Sequence, residues 1–144
     1  MRLAKVTKPV ILSGGTAFTL TVRDSGSLIL FDTAAGVTIT LPPPRVGLTF
    51  DFAIGILGTG AFKTITNAST QFIRGTVDLG VEDNTTGKHF TADGTSHVAV
   101  NNLSAETGWL LGGHYTLTCV SLTVWEVTGT FMCSGTMTTP FTTT

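Results

Sequence analysis

Few residues in this chain are of the types that carry chemistry, and their spacing forms no recognisable site. The three histidines are His89, His97 and His114, and the two cysteines, Cys119 and Cys133, stand at no standard ligand spacing from them. A zinc site needs three or four such ligands on firm elements. The positions of the nine Asp and Glu residues identify no two of them as the paired carboxylates of a glycosidase. We therefore predict no metal, no cofactor and no enzymatic activity.

Two other motifs resemble parts of functional sites. Gly55, Gly58 and Gly60 are spaced somewhat as in a phosphate-binding loop, but no Lys-Ser or Lys-Thr pair follows them. We interpret this stretch as a flexible loop between strands. Trp109, Tyr115 and Trp125 are aromatic residues able to stack on a sugar, and packing in the core or at a subunit interface is the favoured alternative.

The composition favours a β-rich protein with few surface charges. The chain has 144 residues, about one domain, and only 12% of them are charged. That is about half the usual share, and threonine, a β-branched residue that favours strands, is the commonest type. The net charge of -1 gives no attraction to nucleic acid or to an anionic membrane. A surface so poor in charge favours burial against partners in an assembly.

The two cysteines are expected to be free buried thiols. A turn near Leu122 would place Cys119 opposite the region of Trp125 and away from Cys133. The N-terminal stretch has no apolar run typical of a signal peptide, and no stretch approaches the roughly 20 apolar residues of a membrane span. We expect a soluble protein.

The elements that must position these residues are strands. Apolar and polar residues alternate with period two, and turn residues separate the runs. The pattern predicts an all-β fold, a compact antiparallel sandwich or barrel (jelly-roll-like or β-tulip-like) with an extended N-terminal arm. Three parts are predicted: an arm at 1–13, one β-domain at 14–135 and a polar C-terminal tail at 136–144.

Several local predictions accompany this fold. The runs 16–22 and 27–32 are predicted to form a hairpin, as are 109–120 and 123–133. Residues 71–75 and 76–81 are predicted to form a broken strand pair. Residues 82–95 are interpreted as a polar surface excursion, and 103–108 as one helical turn.

Three prolines interrupt the alternation between two further strands. Residues 37–41 and 48–55 each place one apolar face inward, and prolines 42–44 lie between them. Proline cannot donate a ladder hydrogen bond, so the first strand must end there or lie at an edge. We interpret the prolines as a rigid corner that also limits pairing of an exposed edge.

Two stretches resemble small virion proteins of tailed phages. In GVTITLPPPRVGLTFDFAIG a strand ends in Leu-Pro and resumes as Gly-Leu-Xaa-Phe-Xaa-Phe, and GGHYTLTCVSLTVWEVTG resembles the closing hairpin of those proteins. The residues that carry the resemblance are Gly36, Leu41, Pro42, Pro44, Gly47, Phe50, Phe52, Gly113, Tyr115, Trp125 and Gly129. His114 stands where an acid is usual, and residues 120–123 lack the usual Asp-Gly turn. The resemblance covers most of 14–75 and 109–129.

The resemblance implies a virion component of a tailed phage, since its motifs occur in head decoration proteins and in fibre or spike proteins, and the single-domain length favours a capsid decoration (cement) protein. Such a protein is made in the host cytoplasm, binds the outer surface of the phage head as a homotrimer and stabilises the lattice of the major capsid protein. Val10, Ile11 and Leu12 in the arm are the candidate capsid contact, by adding a strand to a partner's sheet edge; a frayed terminus is the alternative. The second function considered is a receptor- or glycan-binding module of a tail fibre or spike, with Trp109 and Tyr115 in a groove.

Overall fold

The computed structural model describes residues 8–83 and 85–144, and these form two β-sheets packed as a sandwich. The twelve strands are β1 (Val10–Leu12), β2 (Ala17–Thr19), β3 (Leu28–Phe31), β4 (Val37–Thr40), β5 (Thr49–Ile54), β6 (Phe62–Ile65), β7 (Phe72–Val81), β8 (Gly87–Asp93), β9 (Ala99–Asn102), β10 (His114–Cys119), β11 (Val124–Cys133) and β12 (Phe141–Thr142). A 3₁₀ turn spans Val22–Asp24. The described residues contain no α-helix, so the predicted all-β fold is confirmed.

The two sheets are mixed, which corrects the prediction of an antiparallel sandwich. One sheet has seven strands in the order β1-β3-β5-β10-β11-β7-β8, and the other has five in the order β12-β9-β6-β4-β2. From β2 to β7 the chain alternates between the sheets, strand by strand. Each return therefore brings a strand back in its earlier direction, and β3/β5 and β4/β6 pair in parallel.

Some local predictions were wrong. The predicted hairpin of 16–22 and 27–32 does not form, because β2 lies in the five-stranded sheet and β3 in the seven-stranded sheet. Residues 72–81 form one continuous strand, β7, in place of the predicted broken pair. Part of the predicted surface excursion is β8, which pairs antiparallel with β7. Residues 104–108 make a hydrogen-bonded turn without a helix.

The proline stretch is the corner that carries the chain from one sheet to the other. Leu41 ends the β4 segment with a hydrogen bond to the Ile65 carbonyl, and Pro42 is buried. Gly47 has φ +95° and donates to the Cys119 carbonyl of the seven-stranded sheet. The predicted corner is therefore present. Since β4 lies between β6 and β2, the prolines do not protect an edge.

Aromatic side chains fill the space between the sheets. Trp125, Tyr115, Phe31, Phe50, Phe52, Phe62 and Phe131 are fully buried. Phe52 and Tyr115 stack with ring centroids 4.7 Å apart. The Tyr115 and Thr64 hydroxyls share a buried hydrogen bond of 2.7 Å, which joins β10 of one sheet to β6 of the other. The core thus links both layers by packing and by one polar contact.

The predicted hairpin near the C-terminus is confirmed as β10 and β11, at the centre of the large sheet. Gly129 lies opposite Tyr115, and a Cβ on Gly129 would approach the Tyr115 Cα and Cβ to 2.5 Å. Only glycine therefore allows this close approach. Cys119 pairs with Trp125 in register, and both cysteines are free and buried, as predicted.

Both predicted terminal segments contribute to the sandwich. Residues 1–7 of the arm lie outside the described residues, whereas β1 pairs in parallel with β3 at an edge of the large sheet. In the segment 136–144, Met137 and Phe141 are buried in the core and β12 pairs with β9. This segment is therefore part of the domain and does not form the polar tail that was predicted.

Candidate functional site

A groove of about 450 Å³ opens on the large sheet near the ends of β7 and β11 and the start of β8. Its lining residues are Asp78, Leu79, Gly80, Gly87, Lys88, His89, Thr130, Phe131 and Met132. Gly80 and Gly87 are cross-strand partners, and a Cβ on Gly80 would meet no atom within 4 Å. The groove exists because two facing glycines leave the sheet without side chains at this point.

One polar side-chain pair borders the groove. Nδ1 of His89 contacts Oδ1 of Asp78, its cross-strand partner, and both side chains are exposed. Met132, the β11 neighbour of Gly80, gives the groove an apolar wall. Across residues 8–83 and 85–144, no group of three or more His, Cys, Asp or Glu side chains could hold a metal ion. The groove is therefore shaped to receive an apolar group beside a polar pair.

Two loops next to the groove expose large apolar side chains at one end of the sandwich. These side chains are Ile56, Leu57, Leu103 and Leu111, with exposed fractions of 37%, 52%, 59% and 57%. The loops 55–61 and 103–113 touch, because a Cβ on Gly58 would lie 3.1 Å from the Trp109 ring. We call these four residues and their two loops the leucine end.

Backbone contacts join the leucine end to the groove. A Cβ on Gly112 would lie 3.2 Å from Cγ of Met132, a groove residue. The Ser134 amide donates to the Ala105 carbonyl, and the Glu82 amide donates to the Cys133 carbonyl. The leucine end, the end of β11 and the turn after β7 therefore form one continuous region.

Acids outnumber Lys and Arg in this region, in which the groove lining contributes Asp78 and Lys88. The segments 55–61, 82–86 and 103–113 contain Glu82, Asp83 and Glu106 and no Lys or Arg. All three acids are exposed. Bonds from the Thr85 hydroxyl and amide hold the pKa of the Asp83 carboxyl below its ordinary value, so it stays ionised well into the acid range. The region is therefore apolar with an excess of acids.

Threonine covers much of the outer face of the large sheet. Thr116, Thr128, Thr76 and Thr91 are successive cross-strand neighbours on β10, β11, β7 and β8. Hydroxyl contacts link Thr76 with Thr91 at 3.3 Å, and Thr116 donates to Asp51 at 2.5 Å. This row explains how a chain with few charges can cover a wide sheet face with polar atoms.

Asp93 organises the turn after β8. Its carboxylate accepts hydrogen bonds from the Ser96 hydroxyl and from the amides of Thr95, Ser96 and His97. The Ser96 hydroxyl and then these amides hold the pKa of Asp93 far below its ordinary value. All of these partners lie within four residues of Asp93 in the chain. The cluster therefore stabilises a turn and leaves no set of free atoms to bind a ligand.

The residues considered for sugar stacking are not together on the surface. Tyr115 is fully buried, and burial raises the pKa of its phenol far above the ordinary value. Trp109 is half-buried and packs against the core. A sugar cannot reach Tyr115, so an aromatic groove of these two residues does not exist.

The glycine-rich loop has a structural explanation. The amides of Thr59 and Gly60 both donate to the Ala34 carbonyl, so they are occupied within the chain. A Cβ on Gly60 would lie 1.9 Å from the carbonyl oxygen of Ala35, and a Cβ on Gly36 would lie 2.5 Å from the carbonyl oxygen of Ala61. These glycines allow two loops to approach each other closely, which matches the interpretation as a connecting loop.

The remaining predicted site residues lie in two places. Val10 and Leu12 face outward on the edge strand β1, with Ile11 partly buried between them. The residues of the phage-like motifs lie at the corner or in the core: Gly36, Leu41, Pro42, Pro44, Gly47, Phe50, Phe52, Gly113, Trp125 and Gly129. The motif residues are thus architectural, and the structure does not bring them together with β1.

Comparisons with known proteins add no relative. The chain matches no protein-family model, no curated protein and no solved structure. In the part of the chain that the structure describes, no helix is long and apolar enough to cross a membrane.

The groove was not predicted from the sequence, because residues 82–95 were interpreted as a polar surface excursion. Gly87 to Asp93 alternate only weakly, since Lys88, Phe90 and Ala92 share one face. The available signal was the pair of glycines, Gly80 and Gly87, on either side of a polar turn.

Proposed function

We propose that this chain is a structural protein of a tailed-phage virion, a capsid decoration protein on the outer surface of the head. The observation that carries the proposal is the place of the two phage-like stretches in the fold. One forms the corner between the sheets, and the other forms the central hairpin of the large sheet. The resemblance thus involves the framework of the domain.

The surface supports an assembled, mechanical role. The outer face of the large sheet carries a row of threonines and few charges, which suits packing against other proteins. In this proposal a homotrimer bridges neighbouring copies of the major capsid protein. Three linked copies bind better than one, because the second and third contacts are intramolecular.

Strand β1 supplies a specific contact in this proposal. It is an edge strand, and its pairing with β3 leaves its other edge open among residues 8–83 and 85–144. A partner strand can add to that edge while Val10 and Leu12, both more than half exposed, contact the partner's side chains. Addition at a sheet edge therefore replaces the free arm of the sequence-based proposal.

The test is the copy number of the chain in purified virions, by quantitative gel against the major capsid protein. A copy number comparable with that of the capsid protein supports decoration, together with rebinding of purified protein to empty mature heads. A handful of copies, or no rebinding, contradicts it. The receptor-binding alternative loses its aromatic groove because Tyr115 is buried.

A further inference from the structure

The leucine end and the adjoining groove together form an apolar surface that the other described residues leave exposed. Four of the eight large exposed apolar side chains among the described residues lie there. In a charge-poor chain, single exposed apolar residues are ordinary, but a cluster on two touching loops marks an interaction surface.

We propose that this surface docks the chain onto an apolar, basic-rimmed surface of the head lattice. The inference rests on the proposed decoration function and specifies its contact. The exposed acids Glu82, Asp83 and Glu106 lie in the same region as the exposed apolar side chains, and a complementary partner therefore presents Lys or Arg beside an apolar centre. An apolar side chain of that partner enters the groove over Gly80 and against Met132.

The size of the patch favours one contact among several. The four side chains expose roughly 400 Å², within the range of functional patches on monomers. A stable one-to-one interface needs about 800 Å² from each partner. A patch of half that size does not hold a stable dimer alone, but it suffices when several linked copies bind the same lattice.

The charges argue against a lipid surface. Interfacial binding to anionic lipid relies on Lys and Arg beside the inserted apolar residues, and this region has the four acids Asp78, Glu82, Asp83 and Glu106 against one lysine, Lys88. A protein surface is therefore the occupant to which this end is matched.

The first test compares matched leucine substitutions at the two ends of the sandwich. Leu57→Ser with Leu111→Ser removes apolar area from the leucine end, and Leu122→Ser removes a leucine that is more exposed than either, from the turn between β10 and β11 at the opposite end. Binding is measured by co-sedimentation with empty expanded heads of the phage that encodes the chain. The heads are first stripped of the chain already bound to them. We expect the double variant to bind at least tenfold more weakly, and the Leu122 variant to bind normally.

The second test fills the groove without harming the fold. Gly80→Val places a strand-favouring side chain in open space, so the thermal midpoint should not fall. Head binding should drop about tenfold, whereas Thr38→Val, a change on β4 of the five-stranded sheet, should leave it intact.

The outcomes separate this inference from the function on which it rests. If the unmodified chain fails to bind heads, both fall. If it binds and the leucine-end and Gly80 variants bind equally well, the docking surface is wrong and decoration stands. Dissociation of an oligomer in the double variant would assign the patch to a second copy, and binding to phosphatidylserine vesicles would assign it to lipid. Either result overturns the proposal.

Discussion

At the scale of single residues, two carboxylates in this protein are satisfied by hydroxyl groups and backbone amides. Asp93 collects its partners from Thr95, Ser96 and His97, and Asp32 accepts from Ser13 and Gly14. The Gly14 amide leads in holding the pKa of Asp32 below its ordinary value. These carboxylates therefore act as stabilisers of turns and segment ends.

The Asp93 turn predicts a defined pH dependence of stability. Because the folded-state pKa is lowered, the ionised carboxylate stabilises the fold above the unfolded value of about 3.8, and this contribution is lost as the pH falls below it. Urea midpoints of the wild type and Asp93→Asn should therefore differ most near pH 7 and converge at strongly acid pH. Ser96→Ala, which removes the leading donor, should show part of the same change. A difference that is constant with pH would contradict this account.

At the scale of elements, the joints between the two sheets matter most. The proline corner links β4 to β5, and the Tyr115–Thr64 hydrogen bond links β10 to β6. The aromatic stack of Phe52 on Tyr115 surrounds that bond with apolar atoms. A lost partner there cannot be replaced by solvent without opening the core.

The buried hydroxyl pair predicts strong coupling between two substitutions. Tyr115→Phe leaves the Thr64 hydroxyl unpaired, and Thr64→Val leaves the Tyr115 hydroxyl unpaired, so each should cost about 1–3 kcal/mol of unfolding free energy. The double variant removes both polar atoms and should cost little more than either single change. Urea unfolding of the four proteins measures the coupling, and additive losses would argue against the bond.

Element type was predictable from the sequence, whereas strand partnership was not. The alternation in 37–41 and 48–55 identified two strands with one buried face each, and both are present. Period two does not show which sheet a strand joins, so β2 and β3 were wrongly paired. The groove depends on which strands bring Gly80, Gly87 and Met132 together, and local pattern contains no such information.

At the scale of the whole molecule, the core excludes solvent from both thiols. Cys119 and Cys133 are almost completely buried on the two strands of the central hairpin. Burial raises the pKa of both, that of Cys133 to about 11. Little reactive thiolate is therefore present at neutral pH in the folded state.

This burial predicts that thiol modification reports unfolding of the whole domain. In native buffer at pH 8, a chromogenic disulfide reagent should modify both cysteines no faster than the domain unfolds, and in concentrated urea it should modify both at once. Leu122→Cys adds a thiol at a position that is 72% exposed, and this thiol should react immediately. Rapid native modification of Cys119 or Cys133 would mean that the hairpin opens locally.

The passage of the chain between the sheets has a consequence during synthesis. Arg74 on β7 contacts Glu126 on β11, 52 residues later in the chain. At about 5–20 residues per second, β7 leaves the ribosome seconds before its parallel partner exists. Its antiparallel hairpin with β8 forms from local sequence and covers one edge in that interval. The other edge stays open until the last long strand is made, so the chain's time of greatest exposure to aggregation ends with β11.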